Sequence, residues 1–206
     1  MRIALFGGTR GTGRQVLLQA LQNDWGVKLL ARNPQAVPPE AGLEVIGGDA
    51  LDPGKVIMTI TGCDAVVSCI GPAGRSRYDR AVCSSFTEIL IPAMNKFSIT
   101  RVVAVSSMGV GSSAAQIPLL LRPLFATLFK GALLDKEKQE LLLQQSPLEW
   151  TIIRPGGLTD KPTGVQPTIG TDLQTRAGRI ERKDVAAFVI RELESAQYLR
   201  QTPYIT

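Results

Sequence analysis

Near the start of the chain, the segment Gly7-Gly8-Thr9-Arg10-Gly11-Thr12-Gly13 places four glycines in seven residues, directly after an apolar run and before a helix-like stretch. Glycine permits a tight turn there and lets backbone N–H groups approach phosphate oxygens, whose charge is favoured at a helix N-terminus. The spacing is Gly-x-x-x-Gly-x-Gly rather than Gly-x-Gly-x-x-Gly, so the position between strand and helix carries the assignment. Gly7, Thr9, Arg10, Gly11, Thr12 and Gly13 are therefore expected to cradle a pyrophosphate; a glycine turn with no ligand is the plain alternative. Arg32 ends the second apolar run, where an acidic side chain would accept from a ribose 2′-hydroxyl. Arginine suits a 2′-phosphate instead, which it grips with a planar fork of donors. With Arg10 and Arg14 in the loop beside it, the charge pattern favours NADPH over NADH. Asp49 and Ala50 follow the third run and are expected to border the adenine, unless Asp49 is an ordinary turn former.

The next three runs end in Cys69-Ile70-Gly71-Pro72, Ser106-Ser107-Met108 and Pro155-Gly156. These ends are expected to face the nicotinamide, with Pro72 and Met108 toward the acceptor. Ser107 would hydrogen-bond one of the two or simply cap its strand. Arg75, Arg77 and Arg80 lie just past the fourth run, where they would attract an anionic acceptor or stand as solvated loop charges. The chain has no histidine, which removes Ser-His-Asp and Cys-His mechanisms and every His-ligated zinc site. Cys63, Cys69 and Cys83 are odd in number and unpaired in spacing, which reads as reduced thiols in a reducing compartment. No metal is expected, so any redox chemistry belongs to an organic cofactor.

The elements that must position these groups follow from the hydropathy pattern. The 206 residues are 44% hydrophobic and 20% charged, an ordinary globular composition at a length normal for one domain. The net charge of +5 is scattered, without the basic run and interleaved aromatics of a nucleic-acid platform. The apolar stretch 117–134 is interrupted by Arg122, Pro123 and Lys130, against the roughly 20 apolar residues a membrane span needs. The chain opens directly on a strand, so no signal peptide is expected and a cytoplasmic location is the default. Strands are expected at 3–6, 27–31, 43–46, 65–69, 101–106 and 150–153, and helices at 12–23, 53–61, 81–97, 136–145 and 183–195. Several strands are continuous apolar runs, the pattern of parallel strands covered on both faces. The alternation predicts an α/β fold: a Rossmann-type, doubly wound, mainly parallel sheet with helices on both faces, in a single domain over 1–206. Segments 71–80, 107–131 and 155–178 follow strands, so they should frame a substrate site at the carboxyl edge. Within them, 117–134 is either a packed helix or a lid over a flat apolar acceptor.

Several stretches also carry a family likeness. These are the Gly7-Gly8-Thr9 loop, Leu30-Ala31-Arg32-Asn33, Gly48-Asp49, Asp64-Ala65-Val66-Val67, Ser106-Ser107, Arg154-Pro155-Gly156 and Lys183-Asp184-Val185-Ala186. In this order and spacing they resemble the atypical short-chain dehydrogenase/reductases of the NmrA-like group, and within it the biliverdin-IXβ reductase/flavin reductase family. The resemblance covers nearly the whole chain. It implies an NADPH-dependent reductase passing hydride to free flavins (FMN, riboflavin) and to biliverdin or related linear tetrapyrroles. It also implies that Ser107 lines the active site. Two departures stand out. The middle glycine of the family loop is Arg10 here, with Gly11 beside it. Lys136 falls where a Tyr-x-x-x-Lys motif would put its lysine, yet Ala132 stands four residues earlier and the tyrosines are Tyr78, Tyr198 and Tyr204. The flavin and biliverdin reductases also lack that tyrosine, whereas epimerases and dehydratases lean on it. Lys136 is then expected either to contact the nicotinamide ribose or to begin its helix as a solvated charge. Relatives also include non-catalytic NADPH sensors or assembly factors and quinone reductases, and both stay open as alternatives. The expected partner is a small-molecule acceptor, with no nucleic acid and no membrane, and the protein a monomer or weak homo-oligomer.

Overall fold

Side chains alternate across each strand, so Ile3 and Leu5 of β1 (Arg2–Phe6) face one side of the sheet and Ala4 and Phe6 the other. All four are fully buried, because both sides are covered. The computed structural model describes residues 1–71 and 81–206. In it β1 pairs in parallel with β2 (Gly26–Ala31) and β4 (Ala65–Ser68). β3 (Leu43–Gly47) lies outside β2, while β5 (Arg101–Val105) and β6 (Glu149–Pro155) extend the sheet beyond β4. The order β3-β2-β1-β4-β5-β6 reverses direction at β1, which creates the crevice where such sheets take ligands.

Two short strands complete an eight-stranded sheet: β10 (Tyr204–Ile205), parallel to β6, and β8 (Ile169–Gly170), antiparallel to β10. β7 (Gly157–Thr159) and β9 (Arg179–Glu181) form a separate parallel ribbon. The sequence expectation covers β1–β6 to within two residues at each end. It does not contain β7–β10, which at two or three residues each are too short to show a period.

α1 (Gly11–Gln22) and α6 (Arg182–Ser195) cover one face, where Val16, Leu17, Val185, Phe188 and Val189 meet the inward residues of β1, β2, β4 and β5. α2 (Pro53–Ile60), α3 (Val82–Lys96) and α5 (Lys130–Gln145) cover the other with Val56, Ile60, Phe86, Leu90, Met94 and Leu143. Asp52 caps α2 by accepting from Gly54 N at 2.8 Å, and Pro53 follows at the first helical position. The segment 117–134 is not one helix: α4 (Arg122–Leu128) precedes α5, which starts at Lys130, six residues before the expected start. No helix among the described residues is long and apolar enough to cross a membrane.

Candidate functional site

Gly7 has φ +80°, and a Cβ there would stand 2.6 Å from the carbonyl oxygen of Cys69. A Cβ on Gly13 would collide with the Gly7 carbonyl oxygen. The loop is thus folded so tightly against the end of β4 and the first turn of α1 that positions 7 and 13 have no room for a side chain. Arg10 occupies the N-cap position of α1 without a side-chain cap bond, and no acidic residue lies in the first turn. The hydroxyl of Thr12 is buried and has no hydrogen-bond partner. A buried orphan oxygen beside uncapped helix N–H groups is the arrangement that phosphate oxygens complete. The residues present therefore fit the pyrophosphate of a dinucleotide.

From this loop a cleft of about 1180 Å³ runs along the carboxyl edge of the sheet. It brings together the loop residues Gly7, Thr9, Arg10, Gly11, Thr12 and Gly13, then Arg32, Asp49 and Ala50, then Cys69, Ile70 and Gly71. Ser106, Ser107, Met108, Lys136, Pro155 and Gly156 line its far part. Apart from Arg14, every sequence-expected site residue within the described chain therefore borders one cavity; Pro72, Arg75, Arg77 and Arg80 lie outside the described residues. Arg14 does not line the cleft. Arg10, Arg32 and Asp49 are exposed at the rim, and Asp49 Oδ1 also accepts from Leu51 N at 2.9 Å, so its turn-forming role is present.

Beyond the strand ends, Ser106 N donates to Ile153 O at 2.7 Å and Met108 N to Pro155 O at 2.8 Å. This carries the β5–β6 pairing into the cleft and fixes Ser107 at its wall. Ser107 Oγ donates to Met108 O at 3.0 Å. The Ser106 hydroxyl turns inward to Glu140, which also takes the Arg154 guanidinium as a fork, at 2.6 and 3.2 Å. Both members of that pair are buried, and charge-assisted bonds on each oxygen offset their desolvation.

Lys136 departs from the sequence expectation. It is buried, well inside α5 rather than at its start, so the solvated-charge alternative is corrected. Its Nζ donates to Ile70 O at 2.6 Å, Val105 O at 2.8 Å and Gln139 Oε1 at 2.8 Å. Three donors meet three acceptors, and the ammonium clamps the ends of β4 and β5 together. Its neighbour Asp135 accepts from Cys83 N at 2.8 Å and Ser84 N at 2.9 Å, capping α3 from another helix.

Part of the cleft lining is apolar. Met108, Ile117, Phe129 and Leu133 belong to it, whereas Leu119, Leu120, Leu128 and Leu134 of the same stretch face outward. Ile117, Phe129, Ala132 and Leu133 thus form part of the cleft wall. Gln116 secures it: its Nε2 donates to Thr175 O at 2.9 Å, and its carbonyl accepts from Ala177 N at 3.0 Å. Tyr204 bonds Asp172 and Thr175, and Tyr198 packs edge-on to Phe188. Among the described residues no tyrosine lines the cleft. Burial pushes the Cys63 and Cys83 thiols up to about 11 and Cys69 to about 12, the last against the pull of the nearby Lys136 charge. None is a thiolate near neutral pH. No group of metal-ligating side chains occurs among the described residues.

Sequence reasoning missed Arg182, which lines the cleft beside Gly11. Its only signal was the helix start Arg182-Lys183-Asp184, and the three-residue β9 that aims it leaves no pattern.

The fold recurs among known proteins. A solved structure described as ChuY, an anaerobillin reductase from Escherichia coli O157:H7, superposes with a TM-score of 0.84 at 26% identity, covering 100% of this chain and 96% of that one. The Bacillus subtilis protein named uncharacterized sugar epimerase YhfK is 26% identical over 94% of this chain and 88% of its own length. Photosystem II assembly factor Ycf39 of Synechocystis is 28% identical over 98% of this chain, which spans only 61% of that relative. A family model described as NAD(P)H-binding matches residues 7–196. With that match running from the glycine loop to the end of α6, the chain belongs to the NAD(P)H-binding family.

Proposed function

We propose that the protein is an NADPH-dependent reductase that delivers hydride to a flat conjugated acceptor, a free flavin such as FMN or riboflavin, or a linear tetrapyrrole such as biliverdin. The observation that carries this reading is the acceptor end of the cleft. Its described residues offer Met108, Ile117, Phe129 and Leu133 for stacking, no tyrosine, and a lysine whose three donors are already engaged, and the chain has no histidine. Such a site orients a ring but does not protonate it. The likeness to a structure described as an anaerobillin reductase supports a tetrapyrrole acceptor. The relative named as an epimerase does not redirect the reading, because the tyrosine that chemistry leans on is missing from the described cleft.

When bound, NADPH would supply the hydride at its nicotinamide ring. The N–H groups of Gly11, Thr12 and Gly13 and the Thr12 hydroxyl would hold the pyrophosphate. Arg10 and Arg32 would take the 2′-phosphate, with Asp49 and Ala50 along the adenine. Cys69, Ile70, Gly71, Ser106, Pro155 and Gly156 would flank the nicotinamide, and Lys136 keeps that floor in place by tying Ile70 to Val105. Ser107 Oγ can leave the Met108 carbonyl for the carboxamide or the acceptor. The proton then comes from solvent, and the protein contributes proximity and orientation.

Oxidation of NADPH and NADH with FMN, riboflavin and biliverdin tests this. Turnover with NADPH well above NADH is the expected result. Tight NADPH binding without turnover on any acceptor would replace it with a non-catalytic sensor or assembly role, and turnover confined to quinones with a quinone reductase.

A further inference from the structure

Arg182 is the first residue of α6, and its side chain lies over the glycine loop, with Nε 3.5 Å from where a Cβ on Gly11 would stand. β7 and β9 pair in the register Thr159↔Glu181, so the residues that follow, Asp160 and Arg182, emerge side by side. They form an ion pair at 2.9 Å. The Asp160 side chain is 79% exposed and that of Arg182 26%. An ion pair so open to water holds its partners weakly. Next to Gly11 in the chain, the Thr12 hydroxyl is buried without a partner, and the first turn of α1 has no side-chain cap. Gln19 of α1 donates to Lys183 O at 2.9 Å, which fixes the start of α6 against α1 and holds the guanidinium at this spot.

We infer that Arg182 is a further phosphate-binding residue of the dinucleotide site, and that Asp160 is its resting counter-ion. With a pyrophosphate in the glycine loop, the guanidinium exchanges a solvated carboxylate for a phosphate oxygen at the mouth of two helices. Asp160 then competes with the cofactor for the same donor and weakens its binding. The two residues of one ion pair thus act in opposite directions on the same ligand, which no purely structural tie would do. The inference rests on the cofactor site of the proposed function but not on the identity of the acceptor.

Calorimetric titration of the full chain with NADPH, NADH and adenosine 2′-monophosphate tests it. Arg182→Ala should weaken NADPH and NADH alike by about tenfold, the worth of one charge-assisted hydrogen bond, and leave adenosine 2′-monophosphate unchanged. Asp160→Ala should tighten both dinucleotides by about twofold to fivefold, the range set by an exposed ion pair. Arg182→Lys, which keeps the charge, should fall between wild type and Arg182→Ala and guards against misfolding of the alanine variant. Dinucleotide binding unaltered in Arg182→Ala, or weakened in Asp160→Ala, would overturn the inference. A wild-type chain that binds neither dinucleotide would overturn the cofactor reading itself, an outcome that no variant comparison resembles.

Discussion

Arg32 and Arg10 stand exposed along the cleft, Arg10 within the glycine loop and Arg32 just past β2. A 2′-phosphate held by such a guanidinium pair is the proposed source of cofactor preference. Arg32→Ala should therefore raise the Kd for NADPH by about tenfold to a hundredfold while that for NADH changes little, as read by titration of both. The place of Arg32 on the cleft was legible because it follows directly from the end of one strand. Lys136 was legible as a lysine near the site but not in its role, since its acceptors come from positions 70, 105 and 139 and meet only in the fold. Lys136→Met should cost about 2–4 kcal/mol of stability in urea unfolding, because the strand-end carbonyls lose a buried charged donor. The buried thiols set an alkaline limit. The folded chain keeps Cys63 and Cys83 protonated to about pH 11, above their ordinary value of 9.0. A raised pKa means that the folded state binds more protons than the unfolded one, so stability is full below about pH 9 and falls as pH rises toward 11. Replacing both cysteines with alanine should flatten the stability profile across that window.

Among the elements, α5 is the least predictable from its sequence. Asp135, Lys136, Gln139 and Glu140 read as the charged, solvated face of a helix, yet all four are buried. They fasten the helix to the edge of the sheet through α3, β4, β5 and β6 instead of through an apolar stripe. The hydropathy pattern has no way to mark a polar face that is satisfied by distant partners. β1, β2, β4 and β5 were legible because strands buried on both faces must be largely apolar, and α1, α2, α3 and α6 because their apolar residues recur at helical spacing. Arg154→Met isolates Glu140 in the interior and should destabilise the protein by about 3–5 kcal/mol, whereas a joint Arg154→Met, Glu140→Leu replacement should recover most of that loss. Chemical denaturation of the single and double variants would read the difference, and equal losses in both would count against a buried pair.

At the scale of the molecule, a sheet covered on both faces leaves its carboxyl edge as the place where loops can converge, and every described residue assigned to the site lies there. A dinucleotide bound along that edge bridges loops from β1, β2, β4, β5 and β6, so it should raise the unfolding midpoint. At a free concentration 100 times Kd the gain is about 2.7 kcal/mol, and at equal concentrations NADPH should stabilise more than NADH. The general fold and cofactor were readable because they depend on local loops placed at fixed points of a regular sheet. The apolar lining around Met108 was not, since Ile117, Phe129, Leu133 and Ala177 come from loops and the start of α5, with the 171–178 segment held by Gln116. The most direct measurement for the whole account is a single turnover of NADPH deuterated at the transferring C4 position, with biliverdin as acceptor. The account predicts that the deuterium appears on carbon in the reduced tetrapyrrole and that Ser107→Ala and wild type both transfer it. NADPH that binds tightly yet keeps its label, with biliverdin and FMN alike left oxidised, would contradict it.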